Sequence, residues 1–112
     1  MSKSEQMGKI RERLIEKRDG VFEAHRLSDE ARLILSEHDI EPEETAQKGA
    51  IANVLAMLDE QAQKEIRAIS RALARMELGE YGSCEVCGKE IEMERLETIP
   101  WTSVCSAHKR TE

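Results

Sequence analysis

The sequence predicts a mainly α fold: a long antiparallel two-helix coiled-coil hairpin over residues 1–80 and a small zinc-finger module over residues 81–112. Three features carry this expectation. Apolar residues recur at helical spacing on both sides of one break, Asp39-Ile40-Glu41-Pro42. Aromatic residues make up 3% of the chain and charged residues 36%, which suits helices packed along a narrow seam and cannot fill a broad globular core. All three cysteines fall in one C-terminal stretch, with a histidine, at the spacing of metal ligands.

The first helix is expected from about Ser4 to His38, with apolar positions Ile10, Leu14, Val21, Ala24, Leu27, Ala31, Ile34 and Leu35 on one face. Ser2 with Glu5 reads as a capping box at its start, and Gly20 weakens its middle by about 1 kcal/mol relative to Ala. His25 and His38 read as surface residues of this helix. Pro42 suits the first turn of the second helix, because the N–H it lacks would be unpaired there. That helix is expected to run to about Leu78 and stop at Gly79, with a seam of Ile51, Leu55, Leu58, Ala62, Ile66, Ile69, Leu73 and Met76. Two continuous helices of this length make a rod of about 50 Å at 1.5 Å per residue. A bundle in which a partner helix or a second copy covers the same stripe is the competing architecture; the hairpin reading makes the protein a monomer.

The tip at 39–46 carries Glu41, Glu43 and Glu44 around Pro42, then Thr45 and Ala46. Carboxylates in a first helical turn interact favourably with the helix dipole, which accounts for them without any function. The sharper reading is a carboxylate probe held at the end of a rod. Sequence pattern does not separate the two.

At the other end, Cys84, Cys87, Cys105 and His108 form the pattern C-x2-C-x17-C-x2-H. Each pair sets two ligands on one tight turn, and two pairs complete the tetrahedron that structural Zn²⁺ prefers. Gly88 after Cys87 supplies a residue free to take positive φ in the knuckle. The alternative is a set of free, partly buried thiols beside a surface histidine. An odd cysteine count and no apolar N-terminal signal point to a reduced, cytoplasmic setting.

The formal net charge of −6 disfavours a phosphate-tracking surface. Residues 84–112 hold four basic side chains against six acidic ones, so this zinc finger is not expected to bind DNA. No apolar run approaches the roughly 20 residues of a membrane span. Neither a nucleophile paired with a base nor a glycine-rich phosphate loop is present, so no enzyme is expected and the partners should be proteins.

The segment Tyr81-Gly82-Ser83-Cys84-Glu85-Val86-Cys87-Gly88, then Ile91, Arg95-Leu96, Pro100 and Cys105, resembles the DksA/TraR family of bacterial transcription regulators. The tip, Glu41-Pro42-Glu43-Glu44-Thr45-Ala46, looks like that family's D-x-x-D-x-A motif with glutamate for both aspartates. The resemblance implies a hairpin inserted into the secondary channel of RNA polymerase, modulating initiation without contacting DNA. It makes Glu41, Glu44 and Ala46 the residues acting on the polymerase, and Cys84, Cys87, Cys105 and His108 the holders of one structural zinc. His108 stands where the family most often has cysteine. Of the basic positions that contact the alarmone ppGpp in larger members, two are Ala68 and Ile99 here and only Lys109 is retained, so ppGpp dependence is expected to be weak. Two other functions suit the same residues: a structural zinc adaptor for another protein, and Gre-like assistance of transcript cleavage.

Overall fold

The computed structural model describes residues 2–37 and 48–111. Among these residues six helical elements follow in chain order: α1 (Lys3–Ala24), α2 (Asp29–Glu37), α3 (Lys48–Leu55), α4 (Glu60–Glu77), α5 (Met93–Thr98) and a terminal 3-10 segment, α6 (Ser106–Thr111). Contacts join α1 to α4 and α2 to α3, so the chain runs out and back as a hairpin. Among the described residues there is no strand, only an isolated antiparallel bridge between Ser83 and Glu90.

Each expected long helix is interrupted, which corrects the continuous rod. Both α1 and α4 begin on real caps: Ser2 Oγ accepts from the Glu5 N–H at 3.2 Å, and Asp59 Oδ1 accepts from the Ala62 N–H at 2.8 Å. Gly20 is tolerated inside α1, and the chain breaks just beyond it. After His25, Arg26 takes φ 54°, its N–H donates to Glu23 O at 3.0 Å, and the Leu27 N–H donates to Phe22 O at 3.1 Å. This is a Schellman ending with arginine at the left-handed position and Leu27 packed in the same core as Phe22. Ser28 then caps α2, its Oγ accepting from the Ala31 N–H at 3.1 Å.

Apolar phase explains the first break. Phe22 is 1% exposed and Leu27 6%, yet a step of five residues places them about 140° apart on a continuous helix. The left-handed Arg26 brings both to one core, so the seam passes through Phe22, while Val21 is half-buried and Ala24 is exposed. In the second arm, Ala56–Leu58 form a turn before Asp59 starts α4. Coaxial α1 and α2, of 22 and 9 residues, would span about 46 Å. The longest dimension is 36 Å, so the hairpin is bent and not a straight rod.

Because Arg26 pays the left-handed penalty of an L-residue, Arg26→Gly should stabilise the protein by about 0.5–1 kcal/mol after the entropy glycine loses on folding. The urea midpoint should rise; a lower midpoint would contradict this assignment of strain.

The apolar stripe divides into two cores. The outer one holds Phe22, Leu27, Ala31 and Leu35 against Ile51, Val54, Leu55, Leu58, Ala62 and Ile66. The base core joins Ile10, Leu14, Ile69 and Ala72 of the hairpin to Cys84, Ile91, Leu96, Val104 and Cys105 of the C-terminal module. Leu14 and Ile69 are 0% exposed. Full burial of such a side chain contributes about 1.5–3 kcal/mol, so the module is held to the hairpin largely by shared apolar surface.

Candidate metal centre

The C-terminal module begins where α4 ends. Gly79, at φ 73°, closes a second Schellman motif, in which the Glu80 N–H donates to Arg75 O at 2.8 Å. The chain then turns at Gly82, φ 93°, where a Cβ would meet the Met7 Cε at 3.6 Å and the Leu96 Cδ1 at 3.8 Å. The first knuckle follows directly. The Cys84 N–H donates to Lys89 O and the Gly88 N–H to Cys84 O, both at 2.8 Å, and Gly88 sits at φ 77° as the sequence requires. The second knuckle is closed by the His108 N–H donating to Cys105 O at 2.9 Å.

These two turns face each other and bring together Cys84, Cys87, Cys105 and His108, whose ligand atoms all lie within 4.8 Å of one another. The Cys87 and Cys105 sulfurs are 3.8 Å apart; His108 Nδ1 lies 3.7 Å from the Cys84 sulfur and 3.4 Å from that of Cys105. A tetrahedral zinc with ordinary bond lengths has edges of about 3.8 Å between sulfurs and about 3.6 Å between sulfur and nitrogen. The donor set therefore fits one Zn²⁺ with four protein ligands, a closed structural site, and Nδ1 is the imidazole atom presented.

Backbone groups prepare the sulfurs. Burial is the largest single effect on Cys84 and pushes its thiol up, but the N–H groups of Cys105, Cys87 and Val86 and the Cys87 side chain together bring it down to about 6. Cys87 is shifted the other way: the Lys89 N–H favours its thiolate, but burial and the Cys84 and Cys105 sulfurs outweigh it. Metal binding must therefore expel the proton of Cys87, which links zinc affinity to pH.

Around the ligands lies a shell that spacing along the chain did not reveal. Glu85, within the first knuckle, accepts from Arg71 Nη2 at 2.7 Å and from Ser103 Oγ at 3.1 Å, and its N–H donates to Ser103 O at 2.9 Å. Arg75 donates to the carbonyls of Glu80 and Ser83, tying α4 to the chain that enters the knuckle. Arg95 Nε donates to Val104 O at 2.9 Å, next to the buried Thr102. The Tyr81 hydroxyl donates to Pro100 O at 2.7 Å, and burial pushes its pKa up to about 12, so it remains a donor at any ordinary pH. Apart from the Arg75–Glu80 contact, five residues apart, these partners are 8 to 19 residues apart in sequence, beyond any local motif.

Lys109 is exposed on α6, Ala68 and Ile99 are half-buried, and Glu41, Glu44 and Ala46 lie outside the described residues. His25 is not a simple surface residue: its ring is half-buried and Nε2 lies 3.1 Å from Asp59 Oδ2. No helix among the described residues is long and apolar enough to cross a membrane.

Residues 79–106 match the family model described as the prokaryotic dksA/traR C4-type zinc finger, a span that ends before His108. An uncharacterized protein of Aquifex aeolicus strain VF5 is 34% identical over 105 residues, 91% of this chain and 72% of that protein. The uncharacterized protein YteA of Bacillus subtilis strain 168 is 49% identical over 43 residues, 38% of this chain and 18% of its own. Among solved structures, transcription factor DksA2 from Pseudomonas aeruginosa aligns with a TM-score of 0.60 and 25% identity over 97% of this chain and 84% of that one. The DnaK suppressor protein from Agrobacterium tumefaciens C58 aligns with a TM-score of 0.59 and 28% identity over 100% of this chain and 95% of its own. With the hairpin, the paired knuckles and their surrounding sequence shared in this way, the chain belongs to the DksA/TraR zinc-finger family.

Proposed function

We propose that the protein is a non-enzymatic, cytoplasmic regulator of bacterial transcription that enters the secondary channel of RNA polymerase as a monomer and acts there through Glu41, Glu44 and Ala46. The observation that carries this reading is the alignment of 97% of the chain with a solved transcription factor, hairpin and zinc module together. In this reading the zinc base is a fixed platform at the channel rim, and the metal has no part in chemistry. Neither DNA nor a membrane is a partner. A promoter-complex lifetime assay tests it: the zinc-loaded protein should change the lifetime of open complexes formed by purified polymerase, and an unchanged lifetime across promoters would remove the proposal.

Gre-like cleavage assistance gives a different readout, release of short 3′ RNA fragments from stalled elongation complexes. No fragments are expected here.

Weak ppGpp dependence follows from the residues at the base. Ala68 lines a groove of about 560 Å³ with Lys17, Arg71, Arg75 and Trp101. Three of its cations are engaged within the protein: Lys17 lies over the Trp101 ring, 5.3 Å from its centroid, and both arginines face Glu85 at 2.7 and 3.6 Å; Lys64, exposed on α4, also lines it. With Ala68 and Ile99 in place of two charged donors, a phosphate-rich ligand loses several kcal/mol of charge-assisted bonding, leaving Lys109 as the retained contact. Adding ppGpp should barely alter the effect on a ribosomal promoter; a strong enhancement would contradict this assignment.

A further inference from the structure

The two helix breaks face each other. His25 closes α1 and Asp59 opens α4, and the two side chains meet across the hairpin at 3.1 Å. The other ring nitrogen of His25, Nδ1, lies 2.9 Å from the carbonyl oxygen of Val21. Both neighbours of the ring are therefore acceptors. A neutral imidazole has one N–H and satisfies one of them; only the imidazolium donates to both.

The breaks differ in what holds them. Across the first, the five-residue step from Phe22 to Leu27 keeps one apolar face only if Arg26 stays left-handed. Across the second, Leu55, Leu58 and Ala62 are separated by steps of three and four, which suit a broken or a continuous helix equally. Residues 56–59 thus suit a broken or a continuous helix with the same core, whereas residues 25–28 require the break and leave only the angle across it to vary. Asp59 links the alternatives, because its carboxylate both caps α4 and receives His25.

We propose that the hairpin is jointed at residues 25–28 and 56–59, that the α2–α3 arm changes its angle to the zinc-bearing base by rearrangement of 56–59, and that the His25–Asp59 tie holds the bent form. The charged groups acting on the His25 ring are Asp59 from the second break and Glu65 from α4; α1 contributes the Val21 carbonyl. The Val21 carbonyl first and the Asp59 carboxylate second raise the His25 pKa above its ordinary 6.5. Asp59 is lowered, first by the Ala62 N–H and then by His25, so it stays ionised through the neutral range. With a raised pKa on histidine, the tie is complete below pH 6.5 and is lost as pH rises through the raised value. The joint then decides how α2 and α3 lie relative to the base.

Residual dipolar couplings of the full, zinc-loaded protein test this without any polymerase, so the result is independent of the proposed function. Couplings are measured at about pH 6 and about pH 8.5, on either side of the histidine range, for the wild type and for Asp59→Asn. Asparagine keeps a capping oxygen for the Ala62 N–H but carries no charge. At the lower pH, one alignment tensor should fit α1, α4, α2 and α3 of the wild type. At the higher pH, and in Asp59→Asn at both, α2 and α3 should require a tensor of their own while Ala62 remains protected from exchange. One tensor under every condition would overturn the joint. Separate tensors in the wild type at both pH values would overturn the tie.

Discussion

Removing zinc, by chelation or by Cys84→Ser, should unfold the base of the hairpin along with the C-terminal module and leave part of the outer helix pair intact. Apparent zinc affinities in small cysteine and histidine sites amount to about 10–16 kcal/mol, as large as the whole stability of an ordinary domain. Cys84 and Cys105 are 2% and 6% exposed and belong to the same core as Ile10, Leu14, Ile69 and Ala72. Losing the metal releases residues 81–111 and uncovers the faces of α1 and α4 that they protect. The outer core, built from Phe22, Leu35, Ile51, Leu55 and their neighbours, contains no residue of the module. Far-UV circular dichroism should therefore fall in part, with amide signals of Leu14, Ile69 and Leu96 collapsing to unfolded positions while those of Leu35 and Ile51 persist. Restoring zinc should reverse this for the chelated wild type and not for Cys84→Ser. An unchanged unfolding midpoint would show that the site contributes nothing to folding, and complete loss of helix would show that the two cores are one cooperative unit.

The second large effect is expected at the other end. Glu44→Ala, Glu41→Ala and Ala46→Thr should each abolish the effect on open-complex lifetime while leaving affinity for polymerase within about 0.5 kcal/mol of the wild type, the usual range for a substitution away from the residues that carry binding. The reasoning is geometric. A carboxylate that acts at the polymerase active centre contributes through its position there, and displacements near 1 Å are enough to lose much of such an effect. Under the proposed reading, binding is spread over the base and the length of the hairpin, so single changes at the tip should leave it nearly intact. Glutamate places its charge one methylene beyond the aspartate of the family pattern, so Glu44→Asp is an informative companion: it keeps the charge and shortens the reach. If all these variants retain full activity, the tip is not the acting element and the adaptor reading gains the support that the tip loses.

The zinc ligands were legible in the sequence because each knuckle is a local device: two ligands on one turn, with Gly88 at the position that needs positive φ. The stop of α4 at Gly79 was legible for the same reason. The breaks in the arms were not. A helix stop is read most readily from glycine, and here Arg26 occupies the left-handed position, held there by burial of Leu27 and Phe22 and not by its own preference. The sequence does carry a weak signal, Leu27-Ser28-Asp29-Glu30, a capping serine followed by two acidic residues, and Asp59-Glu60 repeats it in the second arm. Periodicity masked both, because Leu27 and Leu58 fit an uninterrupted stripe when counted from the residues after them. The contacts of Arg75 and Glu85 with their partners depend on the finished fold, and no pattern within a single segment announces them.

The most direct test of the central claim is binding of the zinc-loaded protein to purified bacterial RNA polymerase core, with a Gre-type factor as competitor for the secondary channel. Saturable binding that the Gre-type factor displaces is the predicted result. No binding by a protein shown to carry one zinc, or binding that the competitor leaves untouched, would contradict it.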